Sequence, residues 1–162
     1  MIDNHPEKRN TLILGIGNLL MGDEGIGVHV VRELENKQKN LQADIIDGGT
    51  GGFHLLSLFE EYKYIIMVDA TMDGQPEGTI SLIEPRFSSD FPRALTAHDI
   101  GLKDLVESAI ILGKLPKIYL ITVSITEIQL MKMVLSKNVK ASIPEVFKKI
   151  TNILQGLNGS VN

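Results

Sequence analysis

Two acidic residues and a histidine occupy points of the sequence where chemically active groups are often held. Glu24 lies at the start of a predicted helix, Asp69 directly follows the apolar run at 64–68, and His98 begins another predicted helix. Carboxylate oxygens and an imidazole nitrogen suit nickel, zinc or iron, and three such groups leave coordination positions open. The sequence therefore predicts a metal site formed by Glu24, Asp69 and His98.

Two further carboxylates are candidates to assist such a metal. Asp47 ends a short predicted strand, and Asp23 precedes Glu24. Either could orient the imidazole or accept a proton. If the site hydrolyses an amide, a carboxylate would act as general base; Asp47 and Asp69 are the predicted catalytic carboxylates, and the sequence leaves open which of them is that base.

Each of these residues also has a purely structural interpretation. Asp23 is a predicted N-cap, Asp69 could cap the following turn, and a lone histidine is more often structural than a ligand. Capping does not explain the glycines Gly22 and Gly25 on either side of the acidic pair, which would let another chain approach closely.

The segment before the acidic pair resembles a phosphate-binding loop only in part. Residues 15–20 begin like a dinucleotide fingerprint, but Leu20 stands where the third glycine is needed. Residues 17–22 have the glycine spacing of a Walker A loop, followed by Asp23 and Glu24 instead of lysine and serine or threonine. Two carboxylates at a helix start repel phosphate, so the loop favours a cation.

Alternating strands and helices bring these residues to one edge. The pattern predicts a single three-layer α/β domain over residues 1–162, with an ordered core at about 11–156 and a twisted, mostly parallel sheet between helices. In such sheets ligands bind beyond the carboxyl ends of the strands. The predicted strands are 11–17, 43–47, 64–68, 78–84 and 118–123, and the predicted helices begin near 23, 52, 98 and 143, the last with Pro144 in its first turn.

Composition excludes several classes of function. The formal net charge is −4, and no dense cluster of lysine and arginine suggests binding to nucleic acid or to a membrane surface. The chain has no cysteine, which excludes disulfides, thiolate-held metals and a cysteine nucleophile. No apolar stretch is long enough to span a bilayer, and the polar first ten residues predict no signal peptide. A soluble cytoplasmic protein is expected.

Four short motifs together resemble those of the hydrogenase maturation endopeptidases, which trim the large subunit of [NiFe]-hydrogenases. Any one of them is a weak signal, but they occur in the same order over nearly the whole chain. They are the segment GIGNLLMGDEGIG at 15–27, DGGT at 47–50, VDA at 68–70, and HDIGL at 98–102.

The resemblance implies both a fold and an activity. Family members are compact α/β proteins that remove a C-terminal extension from the large-subunit precursor once nickel has been inserted. By resemblance, the nickel ligands fall on Glu24, Asp69 and His98, and the aspartate of the DGG motif falls on Asp47. The nickel would arrive with the precursor, so that nickel and precursor are the expected cofactor and partner.

Three alternatives remain open from the sequence. A non-catalytic nickel chaperone or sensor could use the same three ligands. A nucleotide-binding domain is disfavoured by the acidic pair, and a different peptidase on the same fold would cleave without nickel. No serine nucleophile elbow is visible, so a covalent acyl-enzyme is not expected.

Overall fold

The computed structural model describes residues 9–91 and 102–159, in which five strands form one sheet. They are β1 (Thr11–Gly15), β2 (Asp44–Asp47), β3 (Tyr64–Thr71), β4 (Ile80–Ile83) and β5 (Lys117–Ser124). Their order across the sheet is β2-β1-β3-β5-β4, and only β4, at one edge, runs antiparallel to its neighbour. The mostly parallel sheet predicted from the sequence is confirmed.

Helices cover both faces of this sheet. They are α1 (Ile26–Lys37), α2 (Leu56–Glu61), α3 (Leu102–Ile111) and α4 (Lys137–Gly159). Helices α1 and α4 pack on one face, and α2 and α3 pack on the other, which confirms the three-layer α/β arrangement. Within the described ranges, no helix is both long and apolar enough to cross a membrane.

The apolar run of β3 is continuous because the strand is buried on both faces. Ile66 and Val68 point into the core under α1 and α4, whereas Ile65 and Met67 point into the core under α2 and α3. Successive side chains of a strand alternate between faces, so a central strand needs apolar residues at every position. The same alternation places Asp69 on the face of Met67, towards α2 and α3.

Two predicted boundaries are wrong. Strand β3 continues to Thr71, so Asp69 lies inside the strand and not beyond its end. Helix α4 begins at Lys137, and Pro144 is therefore inside the helix and not in its first turn. The earlier start buries Val139 on the helix face that carries Ile143, and the core contact of that first turn outweighs the local cost of proline.

Helix α1 starts unusually close to the sheet backbone. A Cβ atom built on Gly27 would lie 2.2 Å from the carbonyl oxygens of both Ile16 and Val68. Only glycine allows this contact, and it brings the first turn of α1 against the carboxyl ends of β1 and β3. The short 3-10 turn at Gly22–Gly25, which leads into α1, is thereby held at this edge of the sheet.

Gly27→Ala is expected to destabilise the fold. Because backbone oxygens surround the site, the helix must move, and the free energy of unfolding should fall by about 1–3 kcal/mol or more in urea denaturation. The matched control is Gly156→Ala in α4, where no described atom lies within 4 Å of the new Cβ. That variant should be neutral or up to about 1 kcal/mol more stable. Equal stabilities for the two variants would contradict the close contact.

Candidate metal and active site

The edge formed by the carboxyl ends of β1 and β3 is where the chain changes direction across the sheet. From β1 the chain passes to β2 on one side through α1, and it returns through α2 to β3 on the other side. Open parallel sheets bind ligands at such a switch point, because the connections on its two sides diverge and leave a crevice. Glu24 follows β1 and Asp69 lies near the end of β3, so the topology places both residues at this edge of the sheet.

Glu24 is buried in the turn at Gly22–Gly25, with 7% of its surface exposed. Its Oε2 accepts a short hydrogen bond from the backbone N–H of Asn18, in the loop that leaves β1. The turn packs against β3. The carboxylate is therefore held in a defined position at the sheet edge and does not lie in solvent, as the carboxylate of an ordinary helix cap would.

Asp69 is fixed from the other side of the crevice. Its Oδ1 accepts a hydrogen bond of 2.8 Å from the N–H of Ala70, and its neighbour across the sheet in β5 is the buried Thr122. The N–H of Ile16 donates to Val68, the residue before Asp69, over 2.9 Å. The backbone that leads to Glu24 is thus bonded to the strand that carries Asp69.

Asp47 lies at the end of β2 and has a different environment. Its Oδ2 accepts from Arg32 of α1, with distances of 2.7 Å to Nη2 and 2.9 Å to Nε, and its Oδ1 accepts from the N–H of Gly49 at 2.9 Å. Asp47 is in register with Gly15 on the side of β1 away from β3. It therefore lies outside the switch point, and its catalytic role stays a prediction.

The predicted ligand His98 lies outside the described residues. Helix α3, which begins four residues later in the sequence, packs on the sheet face towards which Asp69 points. Among residues 9–91 and 102–159, no three histidine, cysteine, aspartate or glutamate side chains are close enough to hold a metal ion together. The three-ligand site of Glu24, Asp69 and His98 therefore stays a prediction.

Asp23 is completely buried, and it does not cap α1 as predicted from the sequence. Its Oδ1 accepts from the N–H of Ser136 at 2.6 Å, its Oδ2 accepts from Gln129 Nε2 at 3.0 Å, and its own N–H donates to Gln129 Oε1 at 2.9 Å. The N-cap position of α1 is Gly25, without a side-chain cap. Asp23 instead ties the turn before α1 to the loop between β5 and α4, so its predicted role as proton acceptor has no support in these contacts.

The loop at 125–136, between β5 and α4, contacts the turn before α1 in a way that the sequence did not predict. Gly22 has φ +61°, and a Cβ there would lie 2.1 Å from Gln129 Oε1. The N–H of Gly22 also donates to Lys132 O at 2.7 Å. The close contact at Gly22 is made by this chain's own loop, whereas the sequence predicted the approach of another chain, and the sequence gives no signal for Gln129, more than 100 positions away.

An open, mostly parallel α/β sheet with acidic residues near its switch point has the architecture of doubly wound proteins that bind ligands there. The profile of the hydrogenase maturation protease family matches residues 28–153, which include Asp47, Asp69 and His98 and begin four residues after Glu24. The chain belongs to this family. The resemblance seen in the sequence motifs is confirmed.

Curated relatives agree with this assignment. The Hydrogenase 2 maturation protease of Escherichia coli is 33% identical over 111 residues, which cover 65% of this chain and 66% of that protein. The hydrogenase expression/formation protein HupD of Bradyrhizobium diazoefficiens is 35% identical over 65% of this chain and 57% of its own length. The chain thus spans little more than half of such relatives.

Solved structures match more completely. The hydrogenase maturating endopeptidase HybD from E. coli aligns with a TM-score of 0.79 and 27% identity, covering 91% of this chain and 93% of that one. The hydrogenase 2 maturation peptidase from a Thaumarchaeota archaeon aligns with a TM-score of 0.70 and 28% identity, covering 90% and 98%. The fold therefore corresponds to that of these peptidases over nearly its whole length.

Asp23→Ala is expected to loosen the loop at 125–136. Removing the carboxylate deprives the Ser136 N–H and the Gln129 amide of their acceptor, which should lower the free energy of unfolding by about 1.5–3 kcal/mol. Hydrogen exchange at the Ser136 amide should also accelerate. The control Asp73→Ala removes an exposed acceptor of the Gln75 N–H and should change stability by less than about 0.5 kcal/mol. Unchanged Ser136 exchange would contradict this role of Asp23.

His29, on α1, gives a pH-dependent contribution to stability. Burial, assisted by the positive charge of Arg32, lowers the pKa of His29 below its ordinary value despite the carboxylates of Asp23 and Glu33. The unfolded chain then binds the proton more readily, so the free energy of unfolding should decrease as pH falls below about 6.5. His29→Gln should reduce this slope in urea titrations at pH 7 and pH 5. A slope equal to wild type would contradict the assignment, and His54→Gln, at an exposed histidine, should match wild type.

Proposed function

We propose that this protein is an endopeptidase that removes the C-terminal extension of a [NiFe]-hydrogenase large-subunit precursor after nickel insertion. The observation that carries the proposal is that Glu24 and Asp69 flank the switch point of the sheet in a member of the hydrogenase maturation protease family. The names of the matching proteins, including a hydrogenase 2 maturation protease and a maturating endopeptidase, support it. A cytoplasmic location remains part of the expectation.

The donor atoms at the crevice suit recognition of the substrate's own nickel. Glu24 and Asp69 supply carboxylate oxygens, and His98 would supply an imidazole nitrogen. A carboxylate oxygen has more than one lone-pair site, so an oxygen that accepts a hydrogen bond from Asn18 or Ala70 can still coordinate a metal. Without a thiolate, three such ligands form an open site, to which a nickel already held by the precursor can bind.

The requirement for nickel would act as a check on the precursor. A precursor that carries the metal gains contacts to Glu24, Asp69 and His98, whereas an empty precursor of the same sequence does not. Discrimination is then a difference in affinity between two nearly identical substrates. All other contacts between the protease and the precursor can be the same for the nickel-loaded and the empty precursor without loss of selectivity.

Peptide hydrolysis further needs a polarised carbonyl, a water nucleophile and a base. Nickel, when present, supplies the positive charge that polarises a carbonyl or acidifies a water. The base in this proposal is Asp47 or Asp69. Asp69 lies near the switch point and accepts from Ala70, and Asp47 is bound by Arg32 and Gly49. Asp47 could accept a proton only after Arg32 moves, so the geometry favours Asp69 for a step at the switch point.

The decisive test is cleavage of a large-subunit precursor with and without nickel. The expected result is a shortened large subunit from the nickel-loaded precursor and none from the empty one, seen by mass spectrometry. Cleavage of both forms at equal rates would indicate a peptidase that does not use nickel. Binding of the loaded precursor without release of a fragment would indicate the chaperone or sensor.

Glu24→Gln and His98→Ala are expected to abolish processing while the protein remains folded. Loss of a residue that holds the metal should reduce the cleavage rate by about 100-fold or more. Glu35→Gln, an exposed glutamate on α1, is the matched control and should cleave at the wild-type rate. Urea denaturation separates the two interpretations of Glu24, because a role confined to the structure predicts unfolding instead of inactivity.

A further inference from the structure

The loop at 125–136 exposes an unusual number of apolar side chains close to the crevice. Four of them, together with one from the loop after β1, form a surface that we call the loop surface. Its apolar members are Leu20 (49% exposed), Leu130 (73%), Met131 (85%), Met133 (59%) and Val134 (62%).

The loop surface is exposed although the loop itself is firmly held by contacts to the rest of the protein. Gln129 and Ser136 of the loop donate hydrogen bonds to the side chain of Asp23. The backbone of Lys132 accepts a hydrogen bond from Gly22 and donates one to Leu20 in the loop after β1. Ile125 and Leu135, near its two ends, pack into the core. Anchored on this side, the loop holds its apolar side chains towards solvent.

Charge distinguishes the same surface. Residues 125–140 contain three lysines, Lys132, Lys137 and Lys140, and one acidic residue, Glu127, although the whole chain has a net charge of −4. All three are exposed, and none forms an ion pair with another described residue. Lys140 lines a recess together with Met133 and Val134, and Glu33, which also lines it, is paired with Lys37. A complementary partner surface would be apolar and would carry carboxylates.

The loop surface could be covered by a second copy of this chain or by a protein substrate, and its position favours the substrate. Lys132 is bonded to Gly22, two residues before Glu24, so any protein that covers the loop surface also covers the approach to the crevice from this side. A permanent second copy of this chain there would obstruct a protein substrate. A substrate that docks there would instead have its metal brought towards Glu24.

We propose that the loop surface is the docking site for the folded hydrogenase large-subunit precursor, through an apolar and acidic patch of that precursor next to its nickel site. This inference rests on the proposed function and adds the element that selects the partner. The buried Asp23 makes the docking surface and the turn that carries Glu24 one rigid unit. Methionine side chains at its centre adapt readily to a partner surface.

The test is the double variant Leu130→Gln and Met131→Asn. Met131 has φ +58°, and asparagine tolerates this left-handed conformation, so the loop backbone should be preserved. Steady-state cleavage of nickel-loaded precursor should show KM raised about tenfold, the scale of an interface hot spot, with kcat within about twofold. The Kd for the same precursor should rise in parallel, and Lys132→Glu should independently weaken binding.

The matched control is the double variant Ile111→Gln and Leu112→Gln at the end of α3. These residues are 85% and 56% exposed and precede the start of β5, at the opposite end of the sheet. KM and Kd of this control should equal wild type. An unchanged KM in the loop variant, or an equal rise in both double variants, would overturn the proposal. So would a wild-type dimer that the loop substitutions dissociate without changing precursor affinity.

Binding separates failure of this inference from failure of the proposed function. If wild type binds the nickel-loaded precursor without cleaving it, the protease assignment fails, and a Kd weakened only by the loop substitutions still supports the docking surface. If wild type cleaves and the loop variant binds equally well, the docking surface fails alone. Absence of any binding by wild type overturns both.

Discussion

The contact between the first turn of α1 and the backbone of β1 and β3 is the constraint on which the site depends. Gly27 lies against the carbonyl oxygens of Ile16 and Val68, and a Cβ on Gly15 would in turn lie 2.2 Å from Gly27 O. Two glycines facing each other allow a helix and two strands to approach more closely than side chains permit. The turn before the helix, with Glu24, is consequently brought to the strand that carries Asp69.

A buried carboxylate extends this arrangement to a distant part of the chain. Removing the Asp23 carboxylate from water is costly, and the hydrogen bonds that it accepts from Gln129 Nε2 and from the N–H of Ser136 offset that cost. The backbone N–H of Asp23 also donates to Gln129 Oε1. Because a charge at full burial needs its partners, the loop at 125–136 cannot move away from the turn without exposing or orphaning the carboxylate. The turn that carries Glu24 and the loop surface therefore behave as one rigid unit. A substrate bound to the loop surface would have a fixed position relative to Glu24.

The two candidate general bases, Asp47 and Asp69, are the same residue type and differ in their position in the sheet. Asp47 and Asp69 both occur where a parallel strand ends or nears its end, and the sequence treats them alike. In the sheet, Asp69 flanks the switch point between β1 and β3, whereas Asp47 lies beyond β1 and is held by Arg32. Strand order is decided by which helix crosses which face, and no local pattern in the sequence reports it.

The sequence by itself predicted the five strands, their alternation with helices and the positions of the candidate acidic residues. Apolar runs of the right length specify buried strands, and Asp23 and Glu24 in place of a phosphate-loop lysine indicate a cation, because these are local properties of residue type and spacing. Only the tertiary structure decided that Asp23 binds Gln129 and not its own helix, and that α4 begins before Pro144. Both outcomes arise from contacts between residues far apart in sequence, whose burial outweighs the local preferences of capping and proline. The glycine contacts that join α1 to the sheet bring Glu24 and Asp69 to the same edge, and their role as metal ligands stays a prediction.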